Sequence, residues 1–361
     1  MSIKTELKKE GIEVIKPLDT LSVITIAKNV ATKLVMAFPE QNLNCNELFI
    51  RLSRLNMYIA KMPHSMAQAK YYYRNSSIYF SNDIDFSNID SYATHECIHY
   101  LQELRDTKHN LIHLGLCDFT DSRLPGMALN EAAVQLMSSK ALNEKTDIVK
   151  YFDITFPTNS PYYYALECNL INQMAYITGE YALFNSTLYS NDSFKRKFIS
   201  LTSEKAFYKI QGNLDKLIEL EDTLSAEVTK LGNSDLSIKV INKIEKEISN
   251  LRLKISELFI NTQNLILTSY FDSNLKSIVN LEQVEKYRRQ LYNYKNLIGT
   301  TANYTFFNDY YIQKMAELER KCYAFENSQE LSLVAIKRNL FSILISKIKR
   351  LFIGNNIYVE E

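Results

Sequence analysis

The sequence predicts a mostly helical α+β protein. It places a region of short mixed elements with a small twisted sheet first, a long antiparallel helical hairpin second, and C-terminal helices last. Three observations carry this expectation. The 361 residues include only 8 glycines and 6 prolines, and they are rich in Leu, Ile, Lys and Glu, a balance that favours helix. In roughly the first 200 residues, short apolar segments alternate with turns of Asn, Ser, Asp and Pro. Beyond them, apolar residues recur at steps of three and four over long stretches. The expected regions are 1–202, 203–298 and 299–361.

In the first region, YYYRNSSIYF (Tyr71–Phe80) reads as two short aromatic strands around an Asn-Ser-Ser turn. In the second, Leu217, Leu220, Leu224, Val228 and Leu231 share a helical face. Gly232-Asn-Ser-Asp235 then supplies a helix stop and a new N-cap. Ile241, Ile244, Ile248, Leu251, Ile255 and Leu258 follow with alternating steps of three and four. Two such helices around a tight turn predict a hairpin roughly 40 Å long at 1.5 Å per residue. A third helix carries Val284, Tyr287, Leu291 and Tyr294 on one face. The tail from Ser332 to Phe352 is apolar on one side and basic on the other. It reads first as a docked terminal helix, and second as a helix that lies on an anionic membrane.

Apolar residues make up 46% of the chain, enough for a sizeable core. The 42 basic and 41 acidic residues nearly cancel. That balance argues against a general nucleic-acid binder, which needs a basic excess. Five scattered cysteines without a CxxC predict buried thiols in a reducing cytosol. The N-terminal MSIKTELKKEGIEVIK lacks the apolar run of a signal peptide, and no stretch reads as long enough to cross a membrane. A cytoplasmic location is the expectation.

The segment SYATHECIHYLQE (Ser91–Glu103) contains His95, Glu96 and His99 in the order HExxH. Residues i and i+4 stack on one helix face, so both imidazoles can address one ion. Glu96 is rotated by about 100° from His95, beside the ion rather than on it. The rest of the segment is largely apolar, and polar groups packed there need partners. A metal satisfies them together.

Two histidines leave a tetrahedral site incomplete. A third histidine six positions on is absent, because Gln102 and Arg105 occupy the places where an extended motif has Gly and His. His109 and His113 are nearby candidates in a segment that reads as a helix end and loop. The stronger candidate is Glu131, 131 − 99 = 32 positions after His99, in PGMALNEAAVQLMSS (Pro125–Ser139). It is the sole charge between Met127 and Ser139, so it is expected to be buried and to need a cation. Its other reading is a carboxylate that caps a helix or pairs with Arg105 or Arg123. Glu167 has a similar setting as the sole charge between Pro157 and Gly179. It is a candidate either to orient a metal-bound histidine or to replace Glu131. One of Tyr162, Tyr163 and Tyr164 could stabilise an oxyanion, although plain aromatic packing is the simpler role for any one of them.

HECIH followed by LNEAAVQ resembles the gluzincins, zincin metallopeptidases whose third ligand is a glutamate in an Asn-Glu-containing helix. The similarity covers Tyr71 to Gly179. It implies Zn2+ held by His95, His99 and Glu131, with Glu96 as the catalytic general base acting on peptide or protein substrates. It also implies a small twisted sheet whose edge strand pairs with extended peptide, with Ser77–Ser81 placed to be that strand. The spacing from His99 to Glu131 exceeds that of thermolysin-like members, and the helical region after Ser200 matches no known peptidase domain. A rival reading is a non-catalytic protein that binds a partner through the hairpin, with the zincin-like domain as its platform.

Overall fold

The structure is a computed structural model that describes residues 3–63, 68–108, 110–117, 125–232 and 237–327. The described chain is mostly helical with small sheets, as the composition predicts. It divides into two compact units, Met1–Ser273 with Asn296–Tyr304 and Asn274–Lys295 with Thr305–Glu361. The amphipathic tail, Asn233–Asp235, His109 and Arg123 lie outside the described residues.

The first unit opens with α1 (Ile3–Lys9), β1 (Glu13–Pro17) and α2 (Thr20–Ala37). Asp19 caps α2 by accepting from Ser22 N at 2.9 Å. Val23, Ile26, Ala27, Val30, Ala31 and Leu34 form its buried stripe, the i, i+3, i+4 spacing of a core-facing helix. At 18 residues with a mean hydropathy of 1.2, α2 is long and apolar enough by length and composition to cross a membrane. By length and composition alone α2 passes where no stretch was expected to, but a core helix of a folded protein meets the same measure. Here its stripe is covered by neighbouring helices, and Leu21 and Met36 are exposed on the other side.

Helix α3 (Cys45–Leu52) leads to β2 (Asn56–Lys61), β3 (Ala69–Tyr72) and β4 (Ser77–Ser81). The four strands form one sheet in the order β1-β2-β4-β3. Strands β3 and β4 pair antiparallel, matching the two strands expected in Tyr71–Phe80, and β2 and β4 run parallel. The edge assignment changes. Every residue of β4 is buried, so Ser77–Ser81 is an interior strand and β3 is the edge. Ile78, Tyr79 and Phe80 need cover on both faces and both sides, whereas β3 carries Lys70, the kind of residue that blunts an edge. Leu7 and Ile12 pack with Ala60, Met62, Tyr72 and Tyr79, docking α1 onto the sheet.

Helix α4 (Ile89–Leu101) packs on β3 and α2, and Asn29 and Lys33 of α2 both reach Asp90 in its first turn. A two-stranded ribbon follows, β5 (Glu103–Arg105) with β6 (Leu111–Leu114). Helix α5 (Met127–Ala141) is buried almost all round, as its near-absence of charge predicts. Its start follows Pro125-Gly126, where Gly126 holds φ +86°, a conformation open chiefly to glycine. The Asp215 carboxylate accepts from Gly126 N and Ala128 N, both at 3.0 Å. It thereby satisfies first-turn donors that a helix leaves free.

A second ribbon, β7 (Asp147–Tyr151) with β8 (Ile154–Thr158), precedes α6 (Ala165–Thr178), α7 (Glu180–Tyr189) and α8 (Ser193–Leu201). Then come α9 (Glu204–Leu231) and α10 (Ile238–Ser277), joined by a hydrogen bond from Asn213 Nδ2 to Thr262 Oγ1 at 2.9 Å. Leu217 and Leu224 of α9 are buried, and Val228 near the tip is exposed. On α10 the buried stripe runs Ile244, Ile248, Leu251 and Ile255, then shifts from the expected Leu258 to Phe259. A straight helix turns 3.6 residues per turn and drifts off a strict seven-residue repeat. In the second unit, α11 (Leu281–Tyr294) buries Val284, Tyr287, Leu291 and Tyr294, the face read from the sequence. Residues 306–327 are also helical. No disulfide forms among the five cysteines; Cys97, Cys117 and Cys168 are buried thiols as expected, whereas Cys45 and Cys322 are half-buried.

Candidate metal centre

Helix α4 places His95 and His99 one turn apart with Nε2 atoms 3.0 Å from each other. Glu131 comes from α5, and its Oε2 lies 3.4 Å from His95 Nε2 and 3.3 Å from His99 Nε2. Among the described residues, these three side chains are the one group of His, Cys, Asp and Glu whose ligand atoms converge this closely. Ligands about 2.0–2.1 Å from a tetrahedral zinc sit about 3.3 Å from one another. The two distances to Glu131 match that spacing, and the two Nε2 atoms lie about 0.3 Å closer.

The outer faces of both rings are held. Gln135 Oε1 lies 2.9 Å from His95 Nδ1, and Gln102 Oε1 lies 3.2 Å from His99 Nδ1. An amide oxygen only accepts, so each Nδ1 carries a proton and each Nε2 is turned to the centre. Two imidazole nitrogens and a carboxylate then face one another, an arrangement that calls for a cation, whether a proton on His99 or a metal ion. The charges respond accordingly. Burial opposes charge on His99, but the Glu131 carboxylate, helped by Glu96 and Gln102, raises its pKa to about 9. Burial pushes Glu131 up, but His99 and His95 together hold it far below the usual carboxylate range.

A further layer fixes the glutamines. Gln102 and Asn130 exchange side-chain hydrogen bonds of 2.9 and 3.3 Å, clamping the end of α4 to the start of α5. Asn130 Oδ1 also accepts from Leu116 N at 3.0 Å. Gly115 runs directly behind this pair with φ +55°, and a Cβ there would lie 1.9 Å from Asn130 Oδ1. Ser190 Oγ accepts from Gly115 N at 2.7 Å and donates to Gln102 O.

Glu96 stands outside the group of converging atoms. Its Oε2 accepts from Tyr71 N of the edge strand at 2.6 Å. It lines, with all three candidate ligands, an open cleft of about 1090 Å³. Of the three tyrosines Tyr162–Tyr164, the structure brings Tyr164 to the centre. Its ring stacks near His95 at 6.4 Å between centroids, close enough to feel the Glu131 charge. The Glu131 charge and then burial push this phenol well above its ordinary pKa. Tyr164 holds φ 52° at the start of α6, a left-handed conformation that costs about 1–2 kcal/mol for a residue with a side chain.

The chain was compared with protein-family models, curated proteins and solved structures. None matches.

The other candidates fall elsewhere. Glu167 is fully buried against Glu221 of α9 and stays out of the ligand group. Neither of its oxygens has a donor, so the two acids are expected to keep at least one proton between them. Burial, then the Glu221 charge, pushes Glu167 well above the usual range, and burial raises Glu221 to about 7. His113 lies on β6, away from the group. Arg105 pairs with Glu103 and donates to Tyr73 O, not to Glu131. The sequence reading missed Gln102, Gln135, Asn130, Gly115 and Ser190. Gln102 and Gln135 were findable, three residues after His99 and four after Glu131 on shared helix faces. Gly115 and Ser190 arrive from distant loops and leave no local signal.

Proposed function

We propose that the protein is a zinc-dependent metallopeptidase of gluzincin type. The observation that carries this reading is the convergence of His95, His99 and Glu131 at zinc-ligand spacing, with Glu96 beside them in an open cleft. A site with three protein ligands opening on solvent is the catalytic pattern, whereas a structural zinc site is closed by four. Bound zinc supplies a Lewis acid for a carbonyl and brings the pKa of water to about 7.

The chain's own residues do the rest. Gln102 and Gln135 hold both imidazoles in the ligating tautomer. Glu96 takes the proton of the attacking water and delivers it to the leaving amine. Tyr164 stands where its hydroxyl can donate to the oxygen that gains charge. The edge strand β3 borders the cleft through Ala69, Lys70, Tyr71 and Tyr72. It offers backbone groups to an extended peptide. The bond from Tyr71 N to Glu96 ties the base to the same strand that would register the substrate.

A second reading rests on α10, whose 40 residues span roughly 60 Å. As an antiparallel hairpin with α9, exposing Val228, Val240 and Leu253, it could dock a partner helix. One experiment series separates the two readings. Metal content of the purified protein is measured together with cleavage of a broad peptide library. Stoichiometric zinc with turnover supports the peptidase. Tight zinc with no cleavage anywhere refutes it and moves the hairpin reading forward.

A further inference from the structure

The cleft's charge is lopsided. Its described lining carries the carboxylates of Glu10, Glu96, Glu131, Glu144 and Asp222, against Lys70 as the sole lysine or arginine. Lys70 is already paired with Glu10 at 2.5 Å. A divalent metal balances Glu96 and Glu131. Among the described residues, the exposed Glu144 and Asp222 have no lysine or arginine in an ion pair with them, so they leave the cleft with a negative field. Behind them the buried Glu167–Glu221 pair supplies no positive charge, and neither Glu167 oxygen has a donor.

The cleft also presents aromatic faces. Tyr162 is 83% exposed and Tyr163 is 43% exposed, and both line the cleft. The acids and the rings line the same cleft. Exposed rings beside unpaired carboxylates are the chemistry that binds an ammonium or guanidinium group.

We propose that this cleft selects peptide segments carrying lysine or arginine, with the cationic side chain held by Glu144 and Asp222 against Tyr162 and Tyr163. The inference rests on the peptidase reading for turnover, but not for binding.

The test uses the full-length, zinc-loaded protein and sets of peptides identical except for Lys, Arg, Gln or Glu at one scanned position. Two quantities are read: kcat/KM for cleavage, and affinity by fluorescence anisotropy with the Glu96→Gln protein. At one position, Lys and Arg peptides are expected to exceed Glu peptides by about tenfold or more, and raised salt should shrink the ratio. The double variant Glu144→Gln/Asp222→Asn should reduce that ratio several-fold, with zinc content unchanged. A preference for neutral or acidic peptides, or a ratio untouched in the double variant, overturns the proposal. If no peptide is cleaved, the peptidase reading fails by itself. Anisotropy then still decides charge selection, and equal affinity for Lys and Glu peptides rejects it.

Discussion

Gly115→Ala is a small change far in sequence from His95, His99 and Glu131, and it should loosen the candidate metal centre. The new Cβ would sit 1.9 Å from Asn130 Oδ1 and 2.3 Å from Gln102 Nε2, both far inside van der Waals contact. Neither side chain can retreat freely, because each is buried and bonded to the other. The backbone at φ +55° adds about 1 kcal/mol of strain for any residue with a Cβ. Separating the Gln102–Asn130 pair costs about 1–3 kcal/mol in buried groups left poorly satisfied. The expected loss of stability is therefore about 2–4 kcal/mol, measured by urea unfolding of the zinc-free protein. Gln102 also holds His99 Nδ1, so zinc affinity should fall by about ten- to a hundred-fold in a chelator competition assay. A variant within about 0.5 kcal/mol of the parent that keeps full zinc affinity would show that the clamp behind His99 is unimportant.

Glu96→Gln should keep its zinc and its fold while turnover drops at least a hundred-fold, since the amide keeps the shape but cannot take a proton. Unchanged kcat on a verified substrate would rule out the base role. Glu131→Ala should lose zinc by elemental analysis, and Glu167→Ala should retain it, because Glu167 faces Glu221 rather than the histidines. The reverse result would reassign the third ligand. Glu221→Gln should stabilise the protein as pH rises. Glu221 is raised from 4.5 to about 7 and Glu167 is also raised, so the fold retains protons that the unfolded chain releases between these values. Stability is thus lost as pH climbs from about 4.5 to 7, by up to roughly 3 kcal/mol for this residue. The variant's gain in thermal stability should be near zero at pH 4 and largest at pH 8. A gain that does not depend on pH would contradict the shared proton.

The local elements of this protein were determined by short-range pattern. The helix bearing His95 and His99, the uncharged helix around Glu131, and the face of Val284, Tyr287, Leu291 and Tyr294 all follow from residues three and four apart. The two strands of Tyr71–Phe80 follow from aromatic runs around a polar turn. What the sequence left open was which distant groups meet. Glu131 and Glu167 have similar local settings, each a single acid in an uncharged helix. Only packing sends Glu131 to the histidines and Glu167 to Glu221. Strand order is likewise non-local. Ser77–Ser81 became interior because β2 pairs with it on one side and β3 on the other, which leaves Ala69–Tyr72 at the cleft. The clamp of Gln102, Asn130, Gly115 and Ser190 gathers four segments that periodicity cannot relate. Helical and strand spacings fix the direction of a side chain within one element, and long-range burial and hydrogen bonding decide what it finds there.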